Sequence, residues 1–374
     1  MASLFPPGLA EARLHRYLVH WNRDPTQVRE IDRDAITTPT EEERKARQAK
    51  FDQIGQDYYD VVTPMYEQGW GQRFHFTPLT PNCTLEESHE HYTRSLASMA
   101  GLKPGMRVID IGCGIGGPAR DMARITGAHI TGVTNSAWHV QRGNQLSKDE
   151  GLQDKVQLVR ANFLTLPFPD ESFDAAYGIE ALCYAPDPTE LYQEIKRVLK
   201  PGAPFTFADW VMTEKFNEEN EEHRKVRSWI EFGNGLTRMA TVEEKRDGLK
   251  KVGFEVLGEE NMAYRSAPVP WWYAPAGSIW SAWKIPGWAG FWRVFTMSPI
   301  FHALFVRPLY HLLVFLGVEK KELLAELDLM WYCCRSAGIG GRLDIFTPMY
   351  VFTCRKPSGG KDGEKGRFAS GKGV

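Results

Sequence analysis

Residues 106–117 read MRVIDIGCGIGG: four apolar positions around an acid, then a run in which nearly every other residue is glycine. The pattern predicts a β-strand ending at Asp110, a tight backbone turn and then a helix. Glycine enters φ > 0 without steric cost and lets a backbone approach a ligand closely. A strand running through such a turn into a helix is how open α/β sheets build a nucleotide site at their carboxyl edge. An adenosine-containing small molecule is therefore the expected ligand, with a ligand-free structural turn as the alternative.

Gly112, Gly114 and Gly117 satisfy G-x-G-x-x-G, a weak signal by itself. A nicotinamide dinucleotide calls for an acid about 20 residues further on, at the end of the second strand, to hold its ribose. That strand, expected over 128–133, runs into Thr134, Asn135 and Ser136 and carries no carboxylate. The acid stands before the glycines instead, at Asp110, where it suits the ammonium of a methionyl group. The residues favour S-adenosylmethionine over NAD.

At 374 residues the chain exceeds one usual domain. Its 43% hydrophobic and 25% charged residues are those of an ordinary globular protein, and a net charge of −2 gives no electrostatic case for a nucleic-acid partner. Cys83, Cys113, Cys183, Cys333, Cys334 and Cys354 have neither C-x-x-C spacing nor disulfide-scaffold density, so reduced thiols in the cytoplasm are expected. The first 21 residues lack the unbroken apolar core of a signal peptide. Seven of the 12 tryptophans fall between Trp271 and Trp331, which sets the C-terminal third apart. Residues 355–374 hold six glycines and six Lys/Arg with little apolar surface, and are expected to be disordered.

Along the chain, 1–100 read mostly helical: 40–56 suit a solvated helix, and the aromatic run of 58–76 breaks that pattern. From Met106 strands and helices alternate. Strands are expected at 107–110, 128–133, 156–160, 173–177 and 204–210, and helices at 118–126, 137–149 and 190–199. Two further strands are expected at 254–257 and 349–353. The alternation predicts a mostly parallel sheet with helices on both faces. Residues 289–318 are too rich in Arg, His and Pro to span a bilayer. An interfacial helix and a buried lid helix over an apolar pocket are the two readings left.

Several blocks carry a family resemblance: YYDVVTPMYEQGWGQRFHF (58–76), HEHY (89–92), IDIGCGIGGPAR (109–120) and IEALCYAP (179–186). RVLKPG (197–202), WVMTEK (210–215), NEEHRK (220–225), PWWY (270–273) and IFTPMY (345–350) belong with them. Together they resemble the sterol 24-C-methyltransferases over residues 41–357. The resemblance implies a class I methyltransferase (Rossmann-like) α/β fold with a mostly parallel seven-stranded sheet. It implies an N-terminal helical region (1–100) with an aromatic substrate signature, a cofactor-binding core (101–262), a C-terminal aromatic-rich helical lid with the last strand (263–354), and the tail. The implied activity is S-adenosylmethionine-dependent C-methylation of a sterol side-chain double bond. Self-association and peripheral contact with the cytoplasmic face of the endoplasmic reticulum or with lipid droplets are implied as well.

The departures from the family pattern are specific. Gln68 stands where the signature has a second tyrosine, Asn162 where an acid follows the third strand, and Tyr184 where His precedes Ala-Pro. Ala208-Asp209 replaces Tyr-Glu, and Gly233-Asn234-Gly235 replaces Gly-Asp-Gly. The backbone-shaping glycines stay. This suits a specialised paralogue with an altered sterol or triterpenoid acceptor, and equally permits a weakened enzyme. The other readings are methylation of another lipophilic acceptor, such as a linear triterpene or an unsaturated acyl chain, and a non-catalytic sterol- or cofactor-binding protein.

Methyl transfer to an alkene leaves a carbocation in a dry cavity, where aromatic faces stabilise it by about 0.5–2 kcal/mol each without trapping it. Tyr66, Trp70, Phe74 and Phe76 are expected to provide such faces, with Trp271, Trp272 and Tyr273 as a second wall and Tyr184 near the acceptor. The reaction ends in proton loss, for which Glu67, His91, Glu180 and Asp209 are the candidate bases. For the cofactor, Asp110 is expected to hold the methionyl ammonium over Gly112, Gly114 and Gly116. Asn135 is expected at the ribose, Asn162 at the adenine amino group and Phe163 against the adenine ring. His89 and His91 find no third ligand at suitable spacing, so no metal is expected.

Overall fold

The computed structural model describes residues 9–23, 36–69, 71–81, 83–265, 270–276, 288, 292, 301–317 and 322–358. A seven-stranded sheet lies at its centre. The strands are β1 (Arg107–Ile111), β2 (His129–Thr134), β3 (Val156–Arg160), β4 (Ala175–Ile179), β5 (Pro204–Met212), β6 (Glu255–Asn261) and β7 (Phe346–Arg355). Their spatial order is β3-β2-β1-β4-β5-β7-β6. The first five strands of that order pair in parallel, and β7 pairs antiparallel with both β5 and β6. Strand order reverses between β1 and β4, and the crevice at the carboxyl ends of those strands is where open α/β sheets bind ligands. β4 (AAYGI) and most of β5 (PFTFADWVM) are apolar and buried, as strands covered on both faces must be.

Among the described residues four helices precede the sheet: α1 (Leu9–Val19), α2 (Glu41–Gln48), α3 (Phe51–Gly69) and α4 (Leu85–Met99). α5 (Gly117–Thr126), α6 (Ala137–Asp149), α7 (Pro188–Val198), α8 (Glu221–Gly233) and α9 (Val242–Val252) alternate with the strands. Between β6 and β7 come α10 (Tyr273–Ala276), a π-helical turn (His302–Val306), α11 (Arg307–Phe315) and α12 (Glu322–Arg342). α2, α4 and α9 start at T-x-x-E boxes in which Thr40, Thr84 and Thr241 exchange bonds with Glu43, Glu87 and Glu244.

The expected strands and helices of the alternating region fall within a few residues of those observed. Two expectations at the chain ends are corrected. Residues 40–56 are not one helix, and the break expected from 58 comes only after Gly69, with 71–76 non-helical. The chain turns between α2 and α3, and α3 continues to Gly69. Ile54, Tyr58, Val61 and Val62 hold it there by packing into a buried cluster with Tyr17, Leu18, Phe232, Leu329 and Tyr332. Nor is the tail loose from 355: β7 includes Arg355, and the Lys356 N–H donates to the Ala203 carbonyl at 2.9 Å. The Lys356 ammonium donates to the Leu199 carbonyl at 2.6 Å. The rest of the expected disordered tail, 359–374, lies outside the described residues.

Of the buried lid helix read over 289–318, residues 289–291, 293–300 and 318 lie outside the described residues, and 301–317 do not fit it. α11 contains no buried residue, and Leu304, Phe305, Leu309, Leu312, Phe315 and Leu316 are each more than half exposed. Pro308, which has no N–H to give to the helix, directly follows the π-helical turn His302–Val306 in the first turn of α11. No helix among the described residues is long and apolar enough to cross a membrane.

Candidate active site

Past β1 the chain turns through Gly112, Gly114 and Gly116 at φ of 79°, 53° and 75°. A Cβ on Gly112 would sit 2.3 Å from that of Ala181, so both conformation and space demand glycine there. Above the turn lies a cavity of about 940 Å³, the open solvent at its mouth included. The ends of four strands and one face of α3 line it.

At β1, Asp110 is 2% exposed and accepts a bond from the Tyr177 hydroxyl at 2.9 Å. Among the described residues it has no cationic partner. Burial pushes its carboxyl up to about 7, against the lowering effect of the Tyr177 bond. At β2, Asn135 donates through Nδ2 to Asp52 Oδ1 of α3 at 2.8 Å. At β3, Asn162 and Phe163 reach the cavity. The Asn162 amide oxygen expected at the adenine already accepts the Leu164 N–H at 2.9 Å, leaving it one lone pair. The Phe163 ring stacks on that of Phe51, centroids 6.0 Å apart and planes at 28°.

At β4, Glu180 takes a left-handed backbone conformation, φ 52°, rare for a residue with a side chain. Its carboxylate accepts the Phe76 N–H and the Trp210 indole N–H, each at 2.7 Å. Burial raises its pKa well above the ordinary carboxylate range, although both bonds favour the ionised form. The aromatic segment 71–77 is clamped to the start of α5: Gln72 accepts from Arg120 and the Arg73 guanidinium pairs with Asp121, both at 2.5 Å. Gly117 permits this approach, since a Cβ there would lie 2.0 Å from the Gln72 carbonyl oxygen.

Of the four candidate bases, Glu180 alone lines the cavity. Glu67 is spent on Arg142, whose Nε lies 3.0 Å from its Oε1. His91 is exposed, because α4 buries Ser88, His89, Tyr92 and Leu96 and turns position 91 to the opposite side. Asp209 is fully buried behind the cavity and paired with the equally buried Lys245. Among the expected aromatic faces, Phe74 and Tyr184 line the cavity. Tyr66 stands behind Phe74 at 5.6 Å, its hydroxyl 2.8 Å from that of Tyr58. Phe76 and Trp271 join Trp210 and Phe346 in a core cluster on which Trp272 packs, and Trp272 stacks edge-on against Tyr273; Phe76, Trp271, Trp272 and Tyr273 do not line this cavity. Trp70 and the Gln68 side chain lie outside the described residues.

Sequence reasoning missed the α3 stripe. Phe51, Asp52, Gly55 and Tyr59 line the cavity, and Thr63 bonds His139 at 3.0 Å. The i, i+4 spacing of 51, 55, 59 and 63 was the available signal. His75 and His139 also line the cavity, and burial lowers both to about 4, leaving them neutral and weakly basic. Among the described residues no group of three or more metal-ligating side chains comes together.

What Asp110 lacks is a cation, and a methionyl ammonium would supply one. From there the cavity continues past hydrogen-bonding groups at β2 to rings at β3, the sequence of a methionyl group, a ribose and an adenine. That order, on this strand order, defines a class I S-adenosylmethionine-dependent methyltransferase. Family models agree: one described as a methyltransferase domain matches residues 109–207, and one described as sterol methyltransferase C-terminal matches 292–358. The chain is 36% identical to a sterol 24-C-methyltransferase of Gibberella zeae, over 96% of this chain and 91% of that one. It is also 36% identical to the cycloartenol-C-24-methyltransferase of Arabidopsis thaliana, over 85% and 90%. The chain belongs to the sterol 24-C-methyltransferase family. Solved structures similar in fold include the [4+2]-cyclase SpnF (TM-score 0.58, 24% identity, 82% of this chain and 96% of that one). Another is a geranyl diphosphate methyltransferase in complex with SAM (TM-score 0.53, 15% identity, 76% and 98%).

Proposed function

We propose that this enzyme methylates the side-chain double bond of a sterol or related triterpenoid. The observation that carries the reading is one cavity lined both by the uncompensated Asp110 of β1 and, past the adjoining β4, by Glu180 together with Tyr59, Phe74 and Tyr184. Bound S-adenosylmethionine supplies an electrophilic methyl group and leaves as S-adenosylhomocysteine, the electron pair of the broken methyl–sulfur bond staying on sulfur. The acceptor's π electrons form the new C–C bond, and the charge left on the acceptor carbon meets the aromatic faces. Burial raises the phenols of Tyr59 and Tyr184, so both stay neutral and offer no anion to trap the cation. Loss of a proton from the neighbouring carbon re-forms a double bond, and a lone pair of Glu180 takes that proton. A carboxylate keeps about two acceptor sites free after two bonds, and burial makes this one a stronger base than an exposed glutamate.

Two departures from the family pattern meet beside the cavity. The Tyr184 hydroxyl donates to the Asn234 carbonyl at 2.9 Å and accepts from Tyr59 at 3.0 Å. That contact supports a paralogue with an altered acceptor. The test is incubation with methyl-labelled S-adenosylmethionine and a panel of Δ24 sterols, squalene and unsaturated fatty acids. Label in one sterol is expected. Label in squalene alone moves the assignment to linear triterpenes, and cofactor binding with no labelled acceptor overturns the catalytic reading.

Peripheral contact with a lipid surface, on the endoplasmic reticulum or a lipid droplet, belongs to the same proposal. Eight of the twelve exposed large apolar side chains among the described residues fall between Trp288 and Leu316. Such concentration marks an interaction surface, and a water-insoluble acceptor would be met at one. Flotation with sterol-containing phosphatidylcholine vesicles is expected for the native chain and lost in Phe305→Glu/Leu309→Glu. Self-association that disappears in the same variant, without flotation, would assign the face to a second copy.

A further inference from the structure

We infer that Asp52 supplies the carboxylate that holds the ribose hydroxyls of the cofactor, a role the end of β2 leaves open. β2 runs into Thr134-Asn135-Ser136 and presents no acid, although a ribose diol in such a crevice is ordinarily met by one. Asn135 does not supply a charged acceptor: its amide N–H group is spent on Asp52 Oδ1 at 2.8 Å and on the Asp52 carbonyl at 3.3 Å, and what it leaves for a hydroxyl is one neutral oxygen, Oδ1. That bond fixes the Asp52 carboxylate beside the β2 end, on the cavity wall. Among the described residues no Lys, Arg or His pairs with it, so its charge is available to a ligand.

The neighbouring residues set the register. Phe51 precedes Asp52 and faces Phe163 across the adenine end, while Asp110 marks the methionyl end. Asp52 therefore stands between them, where the ribose must lie. An acid supplied by a helix outside the sheet has a consequence: cofactor binding ties α3 to β2. The competing account is that Asp52 only offsets the positive end of α3, in whose first turn it stands.

The test uses the full chain without acceptor, so its outcome is independent of which molecule is methylated. Binding of S-adenosylhomocysteine and of its 2′-deoxy and 3′-deoxy counterparts is measured by calorimetry for native, Asp52→Asn and Asp52→Ala proteins, with apo melting curves to verify folding. The native protein is expected to lose roughly 10- to 100-fold in affinity for each counterpart that lacks a hydroxyl held by Asp52. Asp52→Ala is expected to bind the parent correspondingly weakly and to distinguish it from neither counterpart. Asp52→Asn, which keeps an acceptor oxygen, falls between the two and carries the same comparison if the alanine variant fails to fold. Full discrimination persisting in the Asp52 variants overturns the assignment, because a merely loosened α3 would weaken all three ligands equally. Absence of discrimination in the native protein overturns it as well.

Discussion

At the scale of single residues, Asp110 sets the pH behaviour of the cofactor site. Its carboxyl is pushed up to about 7 by burial, and a ligand ammonium recruits the ionised form. Affinity for S-adenosylhomocysteine is therefore expected to fall as pH drops below 7, by about tenfold per unit. A titration between pH 5 and 8 checks this, and Asp110→Asn should bind weakly and nearly independently of pH. The apo protein should show the opposite trend. A carboxyl raised from 3.8 to about 7 on folding stabilises the fold at low pH, and that contribution is lost as pH rises through 7. Glu180 shifts in the same direction, so turnover is expected to fall on the acid side as it protonates. Phe76 and Trp210 donate to different oxygens of the carboxylate, so Glu180→Gln keeps an acceptor for only one of them and cannot take a proton. A loss of roughly 10²- to 10⁴-fold in kcat with cofactor affinity unchanged is expected. Unaltered kcat would return the base to another group.

Among the elements, α3 decides how the cavity is covered, and it is where sequence and structure part most. The β1 turn was legible because glycines at fixed offsets after an apolar strand leave few alternatives, and Asp110 came with it. α3 was not, because Gly55 and Pro64 weaken helix propensity and the aromatics of 58–66 look irregular until their two faces are separated. One face (Ile54, Tyr58, Val61) packs into the N-terminal cluster, and the other (Phe51, Gly55, Tyr59) lines the cavity. Tertiary packing on both sides overrides the weak propensity. For the same reason His91, Glu67 and Asp209 were drawn into the site by motif position, though helix phase and ion pairing take them out of it. Gly55 makes the double duty of α3 testable. A Cβ there would make an ordinary 3.7 Å contact with Tyr184. Gly55→Ala is expected to stabilise the protein by about 0.5–1 kcal/mol and to leave cofactor binding intact. Gly55→Leu should keep the melting temperature but block the cavity, measured as lost S-adenosylhomocysteine binding.

For the whole molecule, the cofactor cavity is a seam between the sheet and a layer made of α1, α2 and α3, so the strength of that seam should set cofactor affinity. Asp52–Asn135 at 2.8 Å, Thr63–His139 at 3.0 Å and Glu67–Arg142 at 3.0 Å tie α3 across it. Within the layer, Arg16 of α1 and His20 just after it meet buried Asp57 of α3 at 3.0 and 2.9 Å. Arg44 of α2 reaches across to Glu231 of α8 at 3.1 Å, both side chains buried. Removing one partner of a buried pair costs about 3–5 kcal/mol, since the other charge is left in an apolar surround. Arg227 stays 3.6 Å from Glu231 and the Met239 N–H still donates to it, which keeps Arg44→Met at the low end of that range. Arg44 touches nothing in the cavity, yet the variant is expected to bind S-adenosylhomocysteine more weakly, because part of the binding energy must re-form the seam. Ligand at 100 times its dissociation constant stabilises a native state by about 2.7 kcal/mol, so saturating cofactor should recover most of the lost stability. Melting curves at several ligand concentrations measure both quantities at once. A lowered melting temperature with native affinity would mean that the layer closes over the cofactor independently of this clasp, and that α3 alone carries the coupling.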